Sequence, residues 1–295
     1  MNSPHRSTVC LLLLLCISAS CAMAQEPTLR FYVQPSGDDT ADGLSWDTAM
    51  AHPQAAATAS EALFVRGQEQ FYEVWLAAGT YTRNEGPGKS PSTPTGIVEI
   101  GTRISISFYG GFSGVEQYRD DRSWVENEVI LDGGGEHACF AVDTNDYSGI
   151  CGKCRKVMLY DGTFRVDGVT LQNAAYALFW KGQMFPSFRY CTLRNSAQSV
   201  YGCGDDQAPM SFINSLILGP GGSIVLDGCD TGIGFHGSTV VGITGTYSID
   251  LRGQGGSSLG SSVLWDCAPM NFGQESYVTV ENTCLPMEVL DAIPT

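Results

Sequence analysis

Phe188-Arg-Tyr-Cys-Thr-Leu193 and Phe235-His-Gly-Ser-Thr-Val240 each set two apolar residues five positions apart across mostly small or polar ones. The same spacing joins Val166 to Leu171, Ile213 to Leu218, Leu259 to Leu264 and Val280 to Leu285. The first members of these pairs follow one another at intervals of 22, 25, 22, 24 and 21 residues. A unit of that length is too short for a strand plus a crossover helix, which needs ~30 residues. It accommodates two or three short strands joined by turns. One such coil cannot bury its apolar side, but stacked coils can, because their strands pair about 4.8 Å apart and each position lies above its counterpart. The spacing therefore predicts a parallel β-solenoid over residues 166–285, with Phe188, Ile213 and Phe235 among its core anchors. Asn173, Asn195, Gly219 and Gly242 lie one or two positions past the second anchor, where a sharp corner calls for left-handed backbone. A β-sandwich is the competing architecture, and six matched pairs weigh against it.

Working toward the N-terminus, residues 129–131 and 104–109 have strand character, the latter alternating apolar and polar. Residues 72–77 form another strand, and residues 83–96, rich in Gly, Pro, Ser and Thr, an exposed loop. Pro53 opens an Ala-rich stretch over residues 54–65, which predicts a helix with Pro in its first turn. Placed over the first coil, that helix blocks edge-to-edge aggregation. The expected fold class is all-β, a right-handed parallel β-helix with an N-terminal capping helix. The cap covers about 28–70 and the coils about 71–290.

Residues 1–24 read as a secretory signal peptide: Arg6, a Leu-rich run over residues 9–17, and Ala22-Met-Ala24 as a cleavage pattern. The apolar run is too short to span a bilayer, and no later segment resembles a membrane span. Cys21 leaves a lipid-anchored variant open. Residues 25–295 are then a single secreted or cell-surface domain. A net charge of −15 argues against nucleic acid and anionic lipid as partners, and against polyanionic sugars unless calcium bridges them.

Eight cysteines follow the leader: Cys139, Cys151, Cys154, Cys191, Cys203, Cys229, Cys267 and Cys284. An even number in a secreted chain favours disulfides. Cys203 lies 15 residues after Phe188 and Cys229 lies 16 after Ile213, nearly equivalent places on successive coils. That stacking distance falls inside the disulfide range, so Cys203–Cys229 is the expected bridge, with two unpaired core thiols or a pairing with Cys191 as the alternatives.

Tyr32-Val-Gln-Pro-Ser-Gly-Asp38 and Asp42-Gly-Leu-Ser-Trp-Asp-Thr-Ala49 resemble the opening of secreted right-handed β-helix proteins of the pectin-lyase-like superfamily. Val74-Trp-Leu-Ala-Ala-Gly-Thr-Tyr81, Tyr109-Gly-Gly-Phe-Ser-Gly-Val-Glu116, Arg122-Ser-Trp124 and Val129-Ile-Leu-Asp-Gly133 extend the resemblance. It implies the architecture rather than an activity. Relatives with this opening are mostly surface or secreted proteins, adhesin-like (polymorphic-outer-membrane-protein-like) or of unknown role, while the superfamily also holds polysaccharide lyases and hydrolases. Outer-membrane relatives often add a C-terminal translocator barrel; none is expected in the ten residues after Leu285.

Asp205-Asp206 and Gly234-Phe-His236-Gly loosely resemble the paired aspartates and Gly-His-Gly of polygalacturonase-type hydrolases. Inverting hydrolysis needs an acid and a base carboxylate some 6.5–9.5 Å apart. The accompanying Asn-x-Asp and Arg-x-Lys are missing, and Phe235 interrupts the His motif as an inward residue, leaving His236 outside. Two turn aspartates and a surface histidine are the plainer account. Lyase chemistry needs carboxylates clustered for calcium beside an Arg or Lys base, and no such array is evident. Asp38 and Asp42, with Thr40 between them, are spaced like the start of a calcium loop, but its closing acidic residue would fall at Ala49, and an Asx-type turn is the plainer account. His137, Cys139, Cys151 and Cys154 have ligand types suited to zinc, against which the secretory context favours disulfides. Tyr176, Phe179, Trp180, Phe185 and Tyr190 concentrate aromatic area, either in the core or as a sugar-stacking surface. The reading reached is a non-enzymatic β-helix with a surface-interaction or carbohydrate-contacting role and a polysaccharide or cell-surface glycan as partner. The alternative is a polysaccharide lyase or glycoside hydrolase.

Overall fold

The computed structural model describes residues 28–65, 70–83, 94–102, 104–144, 162–182, 184–203, 210–219, 222–227, 232–244, 246–252, 256–272 and 277–285. Its strands form three parallel sheets. The first runs through Thr28–Val33, Phe71–Ala77, Ser105–Phe112, Thr163–Asp167, Phe185–Arg189, Met210–Ile213, Ile233–His236, Gly256–Gly260 and Tyr277–Glu281. The second runs through Gly79–Tyr81, Val129–Asp132, Thr170–Gln172, Thr192–Arg194, Leu216–Leu218, Thr239–Val241 and Val263–Trp265. The third runs through Gly96–Ile100, Ala138–Asp143, Tyr176–Lys181, Gln198–Cys203, Ile224–Leu226, Ile249–Leu251 and Asn271–Phe272. From Phe71 onward the chain visits the three sheets in turn and returns one coil further along. It is a right-handed parallel β-helix with one N-terminal α-helix among its described residues.

The core is a set of columns. Val166, Phe188, Phe212, Phe235, Leu259 and Val280 pair one above another in the first sheet. Phe188, Phe212 and Phe235 are fully buried, with ring centroids 5.1 and 5.3 Å apart and planes within 16°. The second column is Leu171, Leu193, Ile217, Val240 and Leu264. The expected anchors Ile213 and Leu218 are therefore each one residue too late. Ile213 pairs with Arg189 and His236 on the outward side. The corner fixes the register: the residue two places after each first anchor has positive φ, from Tyr190 (51°) and Asn214 (49°) to Gly237 (62°) and Asn282 (49°). Asparagine tolerates that conformation far better than a β-branched residue. It sets Asn214 at the corner and Phe212 inside.

Hydroxyl groups line this corner. Ser215 N donates to Ser238 Oγ and Ser238 N to Ser262 Oγ, both at 3.1 Å. Ser238 Oγ donates onward to Phe212 O at 3.1 Å. Each buried hydroxyl thus accepts from one coil and donates to a carbonyl, satisfying backbone groups where the ladder breaks. Cys191 occupies the same position one coil earlier, its thiol donating to Val166 O at 3.4 Å.

The helix Pro53–Leu63 buries Pro53, Ala56, Ala57 and Ser60 toward the coil end. Its polar side chains treat the first strand of the third sheet as a partner. Gln54 exchanges two hydrogen bonds with the Glu99 backbone, and Glu61 Oε1 accepts from Gly101 N and Thr102 N at 2.7 and 2.8 Å. The expected cap is present and covers an edge that otherwise exposes unpaired amides. No helix among the described residues is long and apolar enough to cross a membrane.

Candidate functional site: an aromatic ledge on the third sheet

Alternation along Tyr176–Lys181 turns Leu178 and Trp180 into the core and Phe179 outward. Register places Tyr201 of the next coil beside Phe179. Their rings stack at 5.4 Å with planes 11° apart, and both are half-buried. Tyr176 packs edge-on against both, at 5.6 and 6.3 Å. Small Ala141 precedes Phe179 in the column and Val225 follows Tyr201, so the two rings stand out as a ledge. Lys181 and Asp143 pair in the strand position two residues beyond Phe179 and Ala141. The arrangement offers a flat apolar surface with polar groups along one side.

Of the expected aromatic set, Tyr176 and Phe179 come together. Trp180 does not join them: it is 0% exposed, and a side chain at its neighbour Gly202 would collide with the indole, Cβ lying 2.9 Å from Trp180 Cε3. Trp180 is a core residue, placed inward by the same alternation that turns Phe179 out. Tyr190 sits at the first-to-second-sheet corner, 40% exposed, stacked on Trp124 at 4.6 Å. Beneath that stack Arg122 Nη2 meets Asp167 Oδ1 at 2.7 Å, fixing the loop that carries Trp124. Tyr201 escaped the sequence reading. Its signal is its place 22 residues after Phe179, one coil length.

His236 is exposed on the first sheet, as its register implies. Its side-chain partner among the described residues is Ser258, with Nε2 and Oγ 3.3 Å apart. Asp205 and Asp206 lie outside the described residues. Asp38 Oδ1 accepts from Thr40 N and Oγ1 at 2.9 and 2.7 Å, and Asp42 Oδ1 accepts from Thr48 Oγ1 at 2.6 Å and Leu44 N at 3.0 Å. These bonds, from Thr40 in one case and chiefly Thr48 in the other, hold both carboxyls below their ordinary range. Both aspartates act as turn acceptors for their own loop. Among the described residues no three His, Cys, Asp or Glu side chains converge as a metal site.

Cys139, Cys191, Cys267 and Cys284 are unbonded, which corrects the expectation of a disulfide framework for these four. Cys139 and Cys191 point into the coil and donate to main-chain carbonyls. Burial pushes the Cys191 thiol up to about 12 and raises that of Cys139 as well. His137 turns to Thr95, Nδ1 and Oγ1 lying 2.8 Å apart. Cys151, Cys154, Cys229 and the Cys203 side chain lie outside the described residues. The backbone of Cys203 ends the strand Gln198–Cys203, whose pairing with the next coil stops one residue earlier, at Gly202↔Leu226.

No family model, no curated protein and no solved structure matches the chain.

Proposed function

We propose that the chain is an extracellular, non-enzymatic β-helix that contacts a polysaccharide or cell-surface glycan through the Phe179–Tyr201 ledge. The observation that carries this reading is the ring pair: two nearly coplanar, half-buried aromatic faces held by the pairing of adjacent coils. A sugar ring has an apolar C–H face suited to such a surface and hydroxyls at its rim suited to Lys181 and Asp143. The leader-like residues 1–24 support an extracellular setting. The blocks in residues 31–135 support kinship with secreted proteins of the pectin-lyase-like kind. A net charge of −15 favours neutral or cationic glycans over polyanionic ones.

A second reading, protein contact, draws on a different face. Leu216, Leu218, Val241, Val263 and Trp265 occupy outward columns of the second sheet at the C-terminal coils, and Trp265 is 63% exposed. A polysaccharide panel scored for both retention and release of reducing or unsaturated ends separates the possibilities. Retention without release, lost in Phe179→Ala, supports the glycan-contacting reading. Release that disappears in Asp206→Asn replaces it with the hydrolase or lyase alternative. No retention across the panel refutes it and leaves the apolar face.

A further inference from the structure

A cleft of about 430 Å³ opens on the outer side of the first sheet, far along the chain from the ledge. One wall is the turn that carries Ser45, Trp46 and Asp47, and the other is the loop over residues 114–117. Tyr32 and Trp46 meet edge to face at 4.8 Å. Trp46 is anchored from behind, tilted against Phe112 at 5.8 Å, and its indole N–H donates to Glu116 O at 3.0 Å. The indole is therefore fixed in place before any ligand arrives.

The polar lining has one sign. Glu116 receives Ser113 N, Ser113 Oγ, Gly114 N and Val115 N. Burial opposes its charge, but these hydrogen bonds outweigh burial and hold the carboxyl below its ordinary range. Glu116 thus contributes a fixed negative field with its acceptor sites already used. Asp47 is exposed, and no hydrogen bond or ion pair to its carboxylate is seen among the described residues. No basic residue lines the cleft. The Arg30 guanidinium reaches the Tyr32 hydroxyl at 3.4 Å but lies over Trp75 and pairs with Glu73.

We propose that this cleft binds an amino sugar bearing a free ammonium group, the sugar body against Trp46 and the ammonium between its ring face and Asp47. An organic cation over indole gains from the ring quadrupole, and a free carboxylate beside it adds a charge-assisted hydrogen bond. Glucose offers the body without the charge, and N-acetylglucosamine offers the amide without the charge. Discrimination therefore rests on the ammonium. The site is separate from the glycan ledge, and the proposal does not depend on it.

The test is a titration of the full chain with glucosamine, N-acetylglucosamine and glucose, followed on the Trp46 indole N–H resonance by NMR. Glucosamine is expected to shift that resonance saturably and to bind about tenfold more tightly than the two neutral sugars, equal to ~1.4 kcal/mol. Asp47→Asn, an exposed change that leaves the cleft walls standing, is expected to remove that tenfold preference. Equal binding of the three sugars, no saturable shift with glucosamine, or an unchanged preference in Asp47→Asn overturns the proposal. The Phe179→Ala variant is expected to retain the preference, which separates this site from the ledge.

Discussion

Glu99 is held twice by Gln54: its backbone N–H donates to Gln54 Oε1 at 2.5 Å, and its carbonyl accepts from Gln54 Nε2 at 3.2 Å. A side-chain amide here does the work of a neighbouring strand. Gln54→Ala is expected to remove both of these hydrogen bonds to part-buried backbone, at a cost of about 1–3 kcal/mol. It also reopens the edge of the strand Gly96–Ile100. Urea unfolding checks the first effect and concentration-dependent light scattering the second; an unchanged midpoint with no added scattering contradicts the capping role.

The column assignment separates two adjacent residues sharply. Phe212→Ala is expected to destabilise by about 3–5 kcal/mol, as a fully buried ring should. Ile213→Ala, on the outward side, is expected to cost about 1 kcal/mol or less. Comparable losses for both, measured by urea unfolding, contradict the register.

The corner ladder makes a further distinction. Ser238→Ala removes the acceptor of Ser215 N and is expected to cost about 1–3 kcal/mol. Cys191→Ser restores the hydroxyl found at Ser215, Ser238 and Ser262, and is expected to be tolerated. A Cys191→Ser loss as large as that of Ser238→Ala contradicts the equivalence of these positions.

The buried thiols give stability a pH dependence. Burial raises the Cys191 thiol from 9.0 to about 12 in the folded chain. Above pH 9 the unfolded thiol releases its proton while the folded one keeps it. The folded state then binds more protons, and stability falls as pH rises. This contribution is complete below pH 9 and is lost between 9 and about 12, at about 1.4 kcal/mol per pH unit. Unfolding midpoints at pH 8 and pH 10 are expected to differ less in Cys191→Ser than in the parent chain. An identical pH dependence contradicts the buried, unbonded thiol.

Much of the fold was legible because stacking repeats a physical requirement every coil. An apolar anchor, a corner residue with left-handed backbone and a second anchor recur together. The error at Ile213 arose where Phe212 and Ile213 are equally apolar, so hydropathy did not choose between them. Asn214, the residue that tolerates the corner, was the deciding signal. Leu216-Ile217-Leu218 carries the same ambiguity and was resolved by the same corner. The candidate site was half legible. Phe179 and Trp180 are adjacent aromatics, and only alternation from Leu178, with Gly202 opening space in the next coil, shows which one is buried. Tyr201 belongs to the ledge through a pairing 22 residues away, which local composition does not reveal. The cysteine count favoured disulfides because it carries no information on burial; Cys191 is a thiol in a place where the following coils use serine.

The proposed glycan-contacting surface rests on the outward-facing, half-buried Phe179–Tyr201 pair. The most direct test compares parent, Phe179→Ala and Tyr201→Ala by affinity electrophoresis in the polysaccharide that best retains the parent chain. Both substitutions lie on outward side chains and are expected to leave the fold intact by circular dichroism. Each is expected to reduce retention by about tenfold or more in apparent affinity, equal to ~1.4 kcal/mol for a lost stacking face. Retention equal to the parent's in both variants would contradict the claim.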